Sequence, residues 1–196
     1  EEAQKTACDN AHARERIVNC AVEIPVGHAG ELLRTSYDQH PDILVRMGYP
    51  DSSTFSQQVI DIKLFGSQLK LNEENTILLG KEQYVAILPS NHPLANKPHF
   101  KLSMLSNEEF ILTNPSDLRT TVTDMCHEAG FEPNIVAETQ LYSEALSLVE
   151  SGIGCTIGTT FTWLGHHHFN IAVKVCEDVH RYRYLYANLN SDIEPS

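Results

Sequence analysis

The stretch LVESGIGCTIG, residues 148–158, places glycine at 152, 154 and 158. Glycines beside a helix can cradle a phosphate. A phosphate loop, however, runs strand, glycines, helix, so that the helix amino terminus faces the anion. Here the order is reversed. Ser143-Glu144-Ala145-Leu146-Ser147-Leu148-Val149 has the pattern of a short helix and comes before the glycines. Gly152 stands where a helix end calls for a residue with positive φ. Cys155-Thr156-Ile157 follows as a strand. The reading is helix, stop, strand, and the helix end on offer has the wrong dipole sign for an anion.

The same alternation extends upstream. Arg16 to Val22 is a short apolar run rich in β-branched residues, which predicts a strand. Ala29, Leu32, Leu33 and Tyr37 share one face at helical spacing, and His40-Pro41 ends that helix because the residue before proline avoids the α region. Ile43 to Met47 predicts a strand, Ser52 to Gln58 a short serine-capped helix, and Val59 to Leu64 and Tyr84 to Leu88 two further strands. Strand and helix alternating over the first half predict a mostly parallel sheet. Residues 89–100, PSNHPLANKPHF, interrupt the rhythm with three prolines and form the best internal boundary. The rhythm then restarts with a strand at Glu109–Leu112, a helix opened at Asn114-Pro115-Ser116-Asp117 and closed by Gly130, a strand at Asn134–Glu138, and the helix and strand of the quoted stretch. Arg181 to Ala187 reads as a late strand. Two α/β lobes are expected, with a cleft between them as the usual place for a small ligand.

Composition narrows the partners. The 196 residues suffice for one ordinary domain or two small lobes. With 14 Lys and Arg against 26 Asp and Glu, the net charge is −12, which repels a phosphate backbone. Five scattered cysteines (Cys8, Cys20, Cys126, Cys155 and Cys176) are odd in number and form no CxxC. They suit reduced thiols in a cytoplasm better than a disulfide framework. No apolar run approaches a membrane span.

The order of these segments resembles the effector-binding domain of LysR-type transcriptional regulators. The residues that carry the resemblance run from Ile17–Val22 and the helix to His40-Pro41-Asp42-Ile43, through Ile60-Asp61-Ile62, to Tyr84–Pro89 leading into His92-Pro93-Leu94-Ala95. They continue through Leu102–Leu105, Glu109–Leu112, Arg119 and Cys126–Pro133, and end at Leu148–Gly154. The resemblance implies a periplasmic-binding-protein-like type II α/β fold, two lobes joined by crossover strands. Residues 1–15 would be a linker or the end of a linker helix, 16–87 lobe I, 88–184 lobe II, and 185–196 a return strand toward lobe I. A winged helix-turn-helix would lie upstream and supply all DNA contact, and relatives carry a last helix in the first lobe beyond the end of this chain. The implied function is sensing of a small-molecule effector in the inter-lobe cleft, shifting the arrangement of a homodimer or tetramer in the cytoplasm, with no membrane association, no cofactor and no catalysis.

By this analogy three loops face the cleft. The first, after the opening strand, offers Glu23 and Pro25 where relatives place hydroxyls. Its carboxylate would favour a cationic or polar guest, and Glu23 reads equally as a solvated loop charge. The second offers Thr113, Asn114 and Ser116. Capping is the main role expected of Ser116, leaving Thr113 as the better ligand contact. The third offers Thr139 and Tyr142, the latter as cleft wall or core. Gly154 completes the expected ligand-binding set.

Other chemistry is weak. Adjacent histidines such as His166-His167-His168 point in different directions on a helix or strand, which is poor spacing for one metal, so no metal ligands are expected. Cys126 and His127 are sequence neighbours, which does not place a thiol against its base. No GxSxG, HExxH or P-loop motif occurs. The rivals to a sensor are a transporter's solute-binding protein of the same fold and an enzyme built on that scaffold.

Overall fold

The computed structural model describes residues 16–24, 29–50, 52, 55, 58–113, 117–164 and 169–190. Pro25, Asn114, Ser116, the histidine run 166–168 and most of the expected helix at 52–58 lie outside the described residues. The chain forms two compact units, residues 1–81 with 184–196, and residues 82–183. It passes between them twice, at 81/82 and 183/184. The proline-rich stretch 89–100 lies within the second unit.

In the first unit, β1 (Arg16–Val22) leads to helix α1 (Ala29–Gln39), then β2 (Ile43–Gly48) and β3 (Ile62–Ser67). β1 pairs in parallel with β2 on one side and β3 on the other, as short helical crossovers require. β9 (Tyr182–Leu189) returns antiparallel to β3, with Ile62 opposite Leu189 and Ser67 opposite Tyr184. The core is small, built on Cys20, Val22, Ile24, Leu64, Leu185 and Ala187. Between α1 and the sheet lies an apolar concavity of about 410 Å³, lined by alternate strand residues such as Val18, Ile43, Val45 and Ile62.

The second unit holds most of the buried mass. Its central strand is β4 (Thr76–Pro89), which begins in the first unit and is flanked in its second half by β7 (Thr156–Thr159) and β8 (Ile171–Val175), both antiparallel. A 3₁₀ turn at Leu102–Leu105 precedes β5 (Glu109–Thr113), which pairs in parallel with β6 (Asn134–Thr139). Helices α2 (Asp117–Glu128) and α3 (Tyr142–Glu150) follow these two strands. The sheets are therefore mixed rather than mostly parallel. The parallel pairs β1/β2 and β5/β6 are each closed by a helix, and the long-range pairs β3/β9, β4/β7 and β4/β8 are antiparallel.

Both helices of the second unit end as their sequence demands. After α3, Ile153 N donates to Leu148 O at 3.1 Å and Gly152 N to Val149 O at 2.9 Å, with Gly152 at φ 79°. This is the double bond pattern that satisfies the last carbonyls of a helix. After α2, Phe131 N donates to Cys126 O and Gly130 N to His127 O, with Gly130 at φ 91°. Gly154 answers a different need. A Cβ there would lie 2.5 Å from the carbonyl oxygen of Glu109. The backbones of β5 and the segment entering β7 close at this point, with Cys155 N donating to Glu109 O and Ile111 N to Cys155 O, each at 2.8 Å.

Candidate functional site

The parallel pair β5/β6 fixes the geometry. Its register sets Thr113 directly opposite Thr139, the last residue of each strand. Helices α2 and α3 start shortly beyond, so two strand ends and two helix amino termini gather at one edge of the second unit. Such carboxyl edges are where open α/β sheets bind ligands, because unpaired N–H groups and positive dipole ends collect there.

Thr113 is buried. Thr139 is half-buried, and its hydroxyl donates to Leu141 O at 3.1 Å. Leu141 has no side-chain oxygen with which to cap α3, and the Glu144 carboxylate reaches back to accept from Leu141 N at 3.3 Å. Tyr142 is half-buried, its ring centroid 6.1 Å from that of Trp163 and tilted by 52°, so one side of it forms part of the core. A shallow depression of about 560 Å³ is lined by Glu138, Thr139, Gln140, Ser143, Glu144 and Ser147, among others. At the same edge Arg119, in the first turn of α2, donates from Nη2 to Glu138 Oε1 at 2.5 Å. Its Nε is buried without a partner.

The structure thus gathers Thr113, Thr139 and Tyr142, and adds the Arg119–Glu138 pair, which the sequence reading did not single out as a site. The available signal was Arg119 falling one turn into a helix that starts at the edge. Gly154 lies elsewhere, facing Glu109 at the opposite end of β5 from Thr113. Glu23 belongs to the first unit, just past β1, where its N–H donates to Leu64 O at 2.8 Å. Its carboxylate is 2.8 Å from Lys63 Nζ, with both side chains about two-fifths exposed. That pairing cancels the local charge, and the preference for a cationic guest that a bare Glu23 would imply loses its premise. Pro25, Asn114 and Ser116 cannot be placed, since they lie outside the described residues.

Among the described residues, nucleophile chemistry finds no support in the thiols. Burial pushes the thiols of Cys126 and Cys176 up to about 12, and that of Cys155 further still. A thiol held in its protonated form is a poor nucleophile. His127 is paired with Glu132, not with Cys126. Among the described residues, no three His, Cys, Asp or Glu side chains are gathered as metal ligands.

A mixed α/β chain in two units, with strand ends and helix starts collected at a polar edge, has the build of a small-molecule-binding domain. A family model described as the LysR substrate binding domain matches residues 13–192, and the chain belongs to that family, with its type II periplasmic-binding-protein-like fold. The HTH-type transcriptional regulator ShiR of Corynebacterium glutamicum (strain R) is 33% identical over 108 residues, covering 54% of this chain and 37% of ShiR. The chain spans less than half the length of the curated relatives it matches. The C-terminal domain of a probable LysR family transcriptional regulator from Rhodococcus sp. RHA1 superposes with a TM-score of 0.73 at 18% identity, covering 91% of this chain and 93% of that one. The effector binding domain of QuiR, solved in complex with shikimate, superposes with a TM-score of 0.66 at 21% identity, covering 91% and 90% of the two chains.

Proposed function

We propose that this chain is the effector-sensing part of a DNA-binding transcriptional regulator, and that it takes a small polar molecule at the carboxyl edge of β5 and β6. The observation that carries the reading is the register that sets Thr113 beside Thr139 between two helix starts. Their hydroxyls and the nearby backbone N–H groups suit a guest bearing hydroxyl or carboxylate oxygens, and the shikimate held by the QuiR domain is a guest of that kind. Asn114, Ser116 and Pro25 belong to the proposed ligand set by family analogy, with Glu23 as a paired and neutralised member. Binding is reversible and no bond is made or broken. DNA contact is left to a part of the regulator outside the matched region, in keeping with a net charge of −12 here. The proposed location is the cytoplasm.

A thermal-shift screen of small polar metabolites tests this. A guest at a hundred times its Kd stabilises the native state by about 2.7 kcal/mol, a shift of several degrees. Thr113→Val keeps the shape and removes the hydroxyl. It should weaken binding about tenfold, the worth of one good hydrogen bond to a polar guest, with little change in the unliganded melting temperature. Turnover of the guest would overturn the sensor reading, and unchanged affinity in Thr113→Val would move the site away from this edge.

The proposed assembly is a homodimer or higher oligomer formed through α1 and the neighbouring strand β2, which ends the strand order of the first unit. Arg34 is exposed on α1 and is paired only one turn away, with Asp38 at 3.0 Å. Arg34→Glu should shift sedimentation toward the monomer more than Arg34→Ala does, because it sets like charges against the partner as well as losing the pair. Identical sedimentation of both variants and the parent would exclude this face.

A further inference from the structure

Glu82 is a carboxylate with no exposed side-chain surface, at the point where β4 enters the second unit. Burying a charge is costly unless its oxygens are well supplied with donors. Its donors come from one place and a counter-charge from another. From the turn after β7, Phe161 N and Thr162 N donate to Oε2 at 3.2 and 2.9 Å, and the Thr162 hydroxyl lies 3.1 Å from each carboxylate oxygen. That hydroxyl is also 2.8 Å from the hydroxyl of Thr159, which extends the chain of bonds. From β9, Arg183 Nη1 stands 3.8 Å from Oε1, and Arg183 is the last residue of the second unit.

The turn is anchored at both ends. Thr160 N donates to Gln83 O at 3.0 Å, and Gln83 N donates to Thr160 Oγ1 at 3.2 Å. Trp163 is fully buried and fills the space left by Gly158, where a Cβ would lie 2.7 Å from the indole. Its ring meets Tyr142, at the start of α3. A continuous line of packed or hydrogen-bonded groups therefore runs from Tyr142 through Trp163 and the 159–163 turn to Glu82, and from there to Arg183.

We infer that Glu82 is a positioning residue that couples the 159–163 turn to the two strands by which the chain enters and leaves the second unit. A carboxylate that only stapled the turn to β4 would not need a cation from β9. Here one buried group is shared by both strands and the turn, so a displacement of any of the three changes the bonds available to the other two. The inference holds whatever the effector proves to be.

The test needs no ligand. Arg183 stands 3.8 Å from Glu82 Oε1, and the double variant separates an effect that passes through Glu82 from one that does not. Hydrogen exchange of the whole chain is measured for the parent, Arg183→Met, Glu82→Gln and the double variant. Coupling predicts that Arg183→Met speeds exchange of the Phe161 and Thr162 amides about tenfold, equivalent to about 1.4 kcal/mol of local opening. It also predicts that the double variant adds little to Glu82→Gln alone. Trp163, the sole tryptophan, should shift its emission to the red in both single variants. Exchange at 161–162 unchanged in Arg183→Met, with faster exchange there in Glu82→Gln alone, would reduce Glu82 to a local staple and overturn the inference. Should Glu82→Gln fail to fold, Arg183→Met and Thr162→Val still decide. Thr162→Val then has to speed exchange at residues 183–185, and unchanged exchange there overturns the inference.

Discussion

Gly154→Ala is expected to lower the melting temperature of the unliganded chain by about 10 °C, from a loss of about 3 kcal/mol at 2–4 °C per kcal/mol for a chain of this size. The added Cβ would lie 2.5 Å from the Glu109 carbonyl oxygen and 3.0 Å from its carbon. Both are backbone atoms, so no side-chain rotation relieves the overlap. Relief requires β5 to separate from the entry to β7, at the cost of the two 2.8 Å bonds between Cys155 and its partners Glu109 and Ile111. Phe110, Ile111 and Leu112 are fully buried on that strand, so the separation also opens the core of the second unit. Gly152→Ala is the natural comparison. That site has open space and a φ of 79°, so alanine meets only the left-handed backbone cost of about 1–2 kcal/mol. Thermal melts of the two variants should rank Gly154→Ala as the worse. A Gly154→Ala chain that melts like the parent but binds its guest poorly would restore Gly154 to the ligand set.

The two glycines show what kind of information a single sequence carries. Gly152 was legible because a helix end is local. The apolar positions of α3 stop at Val149, and the residue that must adopt positive φ follows within the same turn. The need for Gly154 is not local, since the atom that excludes a Cβ belongs to Glu109, forty-five residues earlier. The same division explains the strands. β1, β2, β5 and β6 are parallel neighbours separated by helices, and their alternation with helices announced them. The first half of β4 and the whole of β8 went unread. In β4, Ile77, Leu78 and Leu79 are all partly exposed, so no alternation marks them, and β8 is a short, half-exposed strand whose partner lies more than eighty residues away.

Charges were the least legible feature. Glu82 stands in a run of polar residues, KEQY, that reads as solvated surface, yet its carboxylate is wholly buried because the turn after β7 supplies its donors and Arg183 stands near as a counter-charge. Glu23 reads as a bare loop charge until Lys63, forty residues on, is placed 2.8 Å away. The Arg119–Glu138 pair depends on α2 and β6 meeting at one edge. Hydrophobic period predicts which face of an element is inside, but ionic partners depend on which elements meet. That is why Thr113 and Thr139 of the proposed ligand edge were legible while its charges were not.

Raising the pH above about 9 should destabilise the second unit steeply through its buried thiols, with unfolding expected only above about pH 10. Cys126, Cys155 and Cys176 are almost completely buried, and burial is the largest cause of the raised values in all three. Cys126 and Cys176 are pushed up to about 12 from an ordinary value of 9.0, with Glu132 adding to the effect at Cys126 and Asp178 at Cys176. Below pH 9 both the folded and unfolded thiols are protonated, and the groups leave stability unchanged. Above it the unfolded chain releases protons that the folded chain retains, so stability falls by about 1.4 kcal/mol per thiol for each further pH unit, up to the folded value. Three thiols together remove about 4 kcal/mol per unit, against a total stability of about 5–15 kcal/mol. Tyr84, also raised by burial, joins only above an ordinary value of 10.0. Urea unfolding followed by Trp163 fluorescence at pH 8, 9 and 10 gives the slope directly. A variant with all three cysteines changed to alanine starts less stable at pH 8, because three small cavities are opened. Its stability should nevertheless stay nearly flat from pH 8 to 10, where the parent's falls steeply beyond 9. In the parent at pH 8, none of these thiols should react with a soluble disulfide reagent until denaturant is added. Equal slopes in the two proteins would mean that the thiols ionise within the folded state, and that the core around β5 and β7 admits water.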